Sequence, residues 1–523
     1  MTLDHHGPTD RPYTPFGDPS VAQPMIARLR DVAARRANYP AIIDDEGSLS
    51  YAQLRRAVDR LAATIERHPA AAGPVGIVLP IGRAYVVAAF ACIAARRLAV
   101  MLDAGHPRAR NVAIAAATGI TLALVDRPDQ AQALDLPTIE VDLAEPAAAA
   151  PDPAMTDTRA MFDLDAPAFI LCTSGSTGLP KAIVHSQRNL LHMARTGHDA
   201  FHFDDDDRLL ALSSPSALGG LAPLLHVPLA GATLHLLNLK ARGISGLLGD
   251  LQNFPISILG AAPSLLRGLA RLPVATRAFA GLRIVQTYGE PLTKDDVRIL
   301  RGVLPAACFI RNGYASTEAG GLTWYAQEDD QHDPLQIAAG CVLPDCAAAV
   351  IDHDGANCAA GEVGELWLRS RYAALGEYVD GQLVPGRLQP DPDDPTQRIY
   401  RTGDLARHDD AGVFVVLGRA DRMINVNGQR TEPAEIETVL RRHPQVDKAE
   451  VIVQQRQQGP FLTAFVVARP GSADGLEISL RASLRQSLPS FMVPARIVLL
   501  EQLPLLPGGK VDAQALRALT GGA

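Results

Sequence analysis

Leu54, Ala57, Val58, Leu61, Ala62 and Ile65 recur at three- and four-residue intervals, the spacing of one helical face. Just before them Ser50 and Gln53 stand three apart, which predicts a capping box and a helix beginning at Tyr51. The pattern then changes. VGIVLP (75–80), LAVMLD (98–103) and TLALVD (121–126) are uninterrupted apolar runs separated by two Ala-rich stretches of helical character, the first over 83–96. Continuous apolar strands alternating with helices predict a parallel sheet covered on both faces. Residues 144–153, with EPAAAAPDP, read as a linker or exposed loop.

The alternation resumes at Phe169. FILCT, AIVHS, LLALSS, ATLHLL, ISILGAA, RIVQTYG and CFIRNG are strand-like, with helical stretches between most of them. From about Val342 short strand-like pieces such as AAAVID, GELWLRS and VFVVLGR alternate with Gly, Asp and Pro, which predicts a β-rich subdomain. Beyond Arg419, PAEIETVLRRH and ISLRASLRQSL are helix candidates, and AEVIVQQ and LTAFVVA are strands. The expected fold is α/β. A large N-terminal domain of α/β subdomains with parallel-type sheets plus a β-rich subdomain precedes a small α+β C-terminal domain.

Composition narrows the function. A chain of 523 residues exceeds one compact core. A net charge of −8 and only 5% aromatic residues argue against a nucleic-acid surface. No apolar run reaches the length of a membrane span, and the first 20 residues lack a leader pattern and read as a flexible tail. Cys92, Cys172, Cys308, Cys341, Cys346 and Cys358 show no CxxC spacing, as expected of reduced thiols in the cytoplasm. His226 and His235 lie in apolar runs and read as core histidines, and Asp204–Asp207 as a solvated acidic loop.

The densest chemistry lies in LCTSGSTGLPKAIVHS (171–186). Thr173, Ser174, Gly175, Ser176, Thr177 and Gly178 offer backbone N–H groups and hydroxyls to an anion, and Lys181 a point charge for phosphate oxygens. The stretch does not satisfy GxxxxGK[ST], so it is not a Walker loop. Further polar clusters follow: NGYASTE (312–318), YRTGDL (400–405), GRADRMINVNGQR (418–430) and LPGGKVD (506–512).

These five motifs, in this order and approximate spacing, resemble the adenylate-forming superfamily of acyl-CoA synthetases, peptide-synthetase adenylation domains and firefly luciferase. The resemblance runs from Ser50 to Lys510 and implies an ATP- and Mg²⁺-dependent ligase. In that family a carboxylate attacks the α-phosphate of ATP, pyrophosphate leaves, and a thiol then displaces AMP. It implies that the 173–181 loop holds the β- and γ-phosphates, Thr317 bonds a phosphate oxygen and Glu318 holds the metal. Tyr314 would stack on adenine and Asn312 would read its amino edge. Gly289 is expected at the nucleotide, and Glu290, which follows a strand in TYGEPL, reads equally as a nucleotide-pocket group or as a helix-entry residue. Asp404 would accept both ribose hydroxyls, with Arg419 and Arg430 adding ribose or phosphate contacts. Lys510 would bridge acid and AMP in the first half-reaction only. Residues 21–419 then form the adenylation core, and 420–523 a mobile lid hinged at Asp421.

Three positions depart from the family pattern. Ala315 replaces a glycine, Asn425 stands where peptide synthetases carry lysine, and Leu218 occupies the place of the Asp that pairs with an α-ammonium. An unpaired buried ammonium is costly, so the expected substrate is an aliphatic or aryl carboxylic acid without a free α-amine. The expected pocket wall is Leu218, Gly219, Gly260, Gln286, Tyr288, Gly313, Gly321 and Leu322, with four glycines leaving room for the acid. The acceptor that the resemblance implies is a phosphopantetheine thiol, expected on CoA or on a carrier protein supplied in trans.

Overall fold

The computed structural model describes residues 3–4, 7–8, 13–17, 21–105, 108–127, 134–144, 162–174, 180–327, 329–379, 381–419, 424–426, 429–431, 433–456, 459–471, 475–488, 492–506 and 510–520. The chain forms two compact units, residues 1–348 with 368–401, and residues 349–367 with 402–523. Most of the linker expected at 144–153 lies outside the described residues.

The first unit holds an eight-stranded and a nine-stranded sheet. The helix Tyr51–Arg67 starts at the anticipated capping box, with Ser50 accepting from the Gln53 backbone, and it buries Leu54, Ala57, Val58, Leu61, Ala62 and Ile65. The helix Arg83–Ala94 is buried from Tyr85 through Ala94 because strands of both sheets share its core cluster. A helix enclosed on all sides has no need of a polar face.

The central strands of the nine-stranded sheet are parallel: Phe309–Ser316, Ile284–Thr287, Ile258–Ala261, Arg208–Ala211, Thr233–Leu236 and Pro40–Asp44. Both sheets are nevertheless mixed. FILCT and AIVHS form an antiparallel hairpin, because the few residues between Ser174 and Pro180 cannot carry a parallel crossover. Phe309–Ser316 likewise turns directly into antiparallel Gly320–Tyr325.

Two local expectations need correction. Asp205 and Asp206 are exposed, but Asp207 is 1% exposed, and its carboxylate meets Arg283 at 2.8 Å and accepts from Ser257 at 2.6 Å. Sequence periodicity could not see this pairing, because Arg283 lies 76 residues away. Within the segment read as a tail, Phe16 is buried beneath Arg28, and Tyr13 stacks on His202 at 3.7 Å. Aromatic area gives that segment a reason to pack.

The second unit carries a three-stranded sheet ordered Val446–Arg456, Gly459–Ala468, Arg496–Leu500, with Pro433–Arg442 and Leu476–Ser487 contributing to its core. No helix among the described residues is long and apolar enough to cross a membrane.

Candidate functional site

The hairpin Pro167–Ser174/Pro180–Ser186 pairs Ser174 with Pro180 and Thr173 with Lys181, so its turn spans the hydroxyl- and glycine-rich segment. Gly175, Ser176, Thr177 and Gly178 lie outside the described residues, as do the side chains of Thr173 and Ser174. Lys181 places its ammonium 3.5 Å from Glu377. Glu318 is half-buried, and its carboxyl is raised above the ordinary value by burial and by the Glu377 charge, against hydrogen bonding from Tyr400 and the charge of Lys181. Two carboxylates, a lysine and a phenol therefore form one cluster beside the hairpin. Beneath it, His185 is buried and bonded to the Thr317 backbone, and burial pushes the imidazole down to about 4. Motif reading missed Glu377, Tyr400 and His185, because their relation to Glu318 is tertiary.

Asn312 sits beside Thr287 in the parallel register. Its Oδ1 accepts from Thr287 Oγ1 at 3.1 Å and its Nδ2 donates to the Ala338 carbonyl at 2.9 Å. One N–H and one lone pair remain for a ligand. Tyr314 is half-buried and pairs in register with Leu322, and antiparallel pairing puts those two on one face. Gly289 has φ +80, a turn that favours glycine, and open space stands where its Cβ would be. Glu290 accepts from Ser264 N at 3.1 Å and Ser264 Oγ at 2.8 Å, so it caps the helix Pro263–Ala270.

The opposite face carries the expected acid pocket except Leu322, which shares the Tyr314 face, and the idea that its glycines leave room needs correction. A Cβ on Gly219 would stand 3.2 Å from the Tyr288 ring, and one on Gly260 would stand 3.3 Å from it. The ring occupies the volume that both glycines vacate. Its hydroxyl lies 2.8 Å from Ser213 Oγ and 3.3 Å from the Gly260 carbonyl. At Gly313 a Cβ would meet Gln286 Nε2 at 2.6 Å, and at Gly321 it would meet the Tyr314 carbonyl oxygen at 1.7 Å. All four glycines thus accommodate protein atoms. Leu218 opens the helix Leu218–Ala230 and packs partly against the main core. Arg311, absent from the expected list, donates to Gln286 Oε1. The signal for it was a lone cation inside the apolar run CFIRNG.

In the second unit Asp404 pairs in register with Arg419, whose Nη1 donates to the Thr402 carbonyl at 2.7 Å and lies 3.4 Å from Asp404 Oδ1. Gly403 adopts φ +72, and its N–H donates to Glu365 Oε1 at 3.0 Å. Thr402 Oγ1 accepts from the Asp404 backbone at 2.9 Å. Glu365 and Thr402, both unforeseen, hold the turn that presents Asp404. Arg430 lies in the strand Gln429–Thr431, with its side chain outside the description, and Asp421 is also outside the described residues. Lys510 is exposed, and its carbonyl accepts from Leu506 N at 2.8 Å.

Taken together, the two-unit α/β architecture is that of adenylate-forming enzymes. Similar solved structures include Klebsiella oxytoca NpsA in complex with 3-hydroxyanthranilyl-AMSN (TM-score 0.78, 20% identity, 95% of this chain and 99% of that one). The amide bond synthetase McbA from Marinactinospora thermotolerans is also similar (TM-score 0.79, 23% identity, 95% and 100%). The chain belongs to the AMP-binding enzyme family, which it matches over residues 29–378, with the family's C-terminal domain over 435–510. Among curated relatives it is 32% identical over 513 residues to phosphinothricin tripeptide synthetase PhsC of Streptomyces viridochromogenes, covering 95% of this chain but 45% of that protein. It is 30% identical to novobiocin biosynthesis protein H of Streptomyces niveus, covering 94% of this chain and 82% of that one. The chain spans less than half of the first curated relatives it matches, 45% of one and 15% of the next.

Proposed function

We propose that the protein activates a carboxylic acid with ATP, releasing pyrophosphate, and passes the acyl group from its adenylate to a phosphopantetheine thiol. The observation that carries this reading is the cluster of Lys181, Glu377, Glu318 and Tyr400 beside the hydroxyl-rich hairpin. Both substrates are anionic, so the chemical problem is charge, and catalysis is mainly positioning and electrostatics. Lys181 exchanges its pairing with Glu377 for non-bridging phosphate oxygens. Thr317 donates to a phosphate oxygen.

The carboxylates suit magnesium, a hard cation that prefers oxygen ligands. Glu318 would hold it, with Glu377 nearby, and the raised affinity of Glu318 for a proton marks a place where a cation relieves burial and carboxylate repulsion. When bound, the ion neutralises phosphate charge. Asn312 offers its remaining N–H and lone pair to adenine, Tyr314 its ring, and Asp404 its oxygens to the ribose hydroxyls. Arg430 contributes a phosphate contact. Lys510 supplies its ammonium to the adenylation step, and rotation about Asp421 removes it before thiol attack. Leu218 disfavours an α-amino acid, because the ammonium would lack a carboxylate partner. The curated relatives at 30% identity or more include several peptide synthetases, which supports a carrier-protein arm over free CoA.

ATP–pyrophosphate exchange across a panel of acids tests the first step. Mass spectrometry with CoA and a carrier protein then reads the acceptor. No exchange with any acid would refute the adenylation reading, and loading of CoA alone would refute the carrier assignment.

A further inference from the structure

Arg311 is 9% exposed and lies on the Tyr288 face of the nine-stranded sheet, opposite Gln286 in the register. A guanidinium carries five N–H donors in a planar fork suited to a carboxylate. Here Nη1 donates to the neutral Gln286 carboxamide, and Nε is sealed from solvent with no acceptor. Among the described residues no carboxylate pairs with this cation, although buried arginines are ordinarily paired. The Phe201 ring, 4.9 Å from the guanidinium carbon, also moderates its charge.

A second unpartnered polar atom lies close by. His226 is 6% exposed, its Nε2 has no partner, and its ring centroid lies 6.1 Å from that of Phe201. Burial first, then the charges of His198 and Arg311, push its imidazole down to about 3, so it is neutral. A neutral imidazole can still donate one N–H. Around one aromatic ring, the guanidinium Nε lacks an acceptor and the imidazole Nε2 lacks a partner among the described residues.

We propose that Arg311, supported by Gln286 and His226, binds the second carboxylate of a dicarboxylic acid whose first carboxylate is adenylated. This inference rests on the adenylation reading for the fate of the first carboxylate. It does not rest on it for the binding of the second. Gly313 stands two residues from Arg311 on the same face, about 7 Å along the strand. A short chain suffices to span that distance. Tyr288, wedged between Gly219 and Gly260, would exclude long acids.

The experiment compares malonate, succinate, glutarate, adipate and phthalate with butyrate, valerate, hexanoate and benzoate in ATP–pyrophosphate exchange. At least one dicarboxylate is expected to exceed its monocarboxylate counterpart in kcat/KM by about 10²-fold, as for a site built to bond a polar substrate group. Arg311→Met should erase that preference while leaving monocarboxylate turnover within about threefold. Arg311→Lys, which keeps charge without the fork, should restore part of it. Equal loss on both acid classes, or no dicarboxylate preference in the wild-type protein, would overturn the proposal. If no acid supports exchange, the adenylation reading has failed and binding is read directly. The wild-type melting temperature should then rise by about 2–4 °C in millimolar dicarboxylate, with no rise in Arg311→Met. Absence of that rise in the wild-type protein would also overturn it.

Discussion

Arg311 and Asn312 are neighbours on one strand, yet they serve faces with different logic. On the Asn312 face, polar groups already have protein partners: Thr287 and Ala338 hold the amide, leaving a small remainder for a ligand. On the Arg311 face, the guanidinium Nε and the Nε2 of the nearby His226 lack partners among the described residues, while an aromatic ring fills the space beside two glycines. A face for a ligand shared across a family can be held by local, repeatable bonds. A face for one particular acid is defined by which volumes are exchanged and which donors are left over.

Lys510→Ala attacks the first reaction with the largest expected effect. It should lower adenylate formation by about 10³-fold, the scale of losing a preorganised charge partner. Thioester formation from a supplied acyl-adenylate should be largely retained, as measured by single-turnover assays of each half. Equal loss in both halves would contradict a role confined to adenylation. Glu318→Gln should reduce exchange by about 10²-fold and raise the magnesium concentration for half-activity. Wild-type exchange should also fall on acidification, because a carboxyl of raised affinity protonates at higher pH than an ordinary one and then no longer attracts a cation. An unchanged magnesium titration in the variant would remove Glu318 from the metal site.

His185 sharpens the contrast through stability. Its folded value of about 4 lies below the ordinary histidine value of 6.5, so the unfolded chain binds a proton that the folded protein refuses between those pH values. Stability should therefore fall as pH drops through that window, by about 1.4 kcal/mol per pH unit for this group. Urea titrations of the wild-type protein and His185→Gln at pH 7 and 5 should show a shallower pH slope in the variant. Tyr288→Phe carries the smallest effect. Loss of the Ser213 partner should cost about 1 kcal/mol of unfolding free energy, with no new tolerance for longer acids because the ring remains. Longer acids accepted by this variant would show that the hydroxyl, rather than the ring, limits the pocket.

Much of the architecture was legible because its causes are local. The capping box at Ser50 and Gln53, the apolar face beginning at Leu54 and the uninterrupted strand VGIV each depend on neighbours within a few residues. The antiparallel hairpin around 174–180 was missed because apolar runs state burial rather than direction. Asp207 was misread for the same reason: four consecutive aspartates look alike until a distant arginine selects one.

The candidate site divides the same way. Hydroxyls, glycines and lysine in TSGSTGLPK announce an anion by composition and order, and Glu318 and Asp404 stand in similarly recognisable strings. Glu377 beside Lys181, Glu365 under Gly403 and Tyr288 between Gly219 and Gly260 carry no such string. By itself the chain determined helix starts, buried strands and the groups able to meet a nucleotide, because backbone propensity and side-chain chemistry act at short range. Tertiary structure alone decided which carboxylates share a cation, which glycines are filled and which guanidinium is left without a carboxylate among the described residues. Burial and charge pairing depend on distance in space, and packing brings residues together irrespective of their separation along the chain.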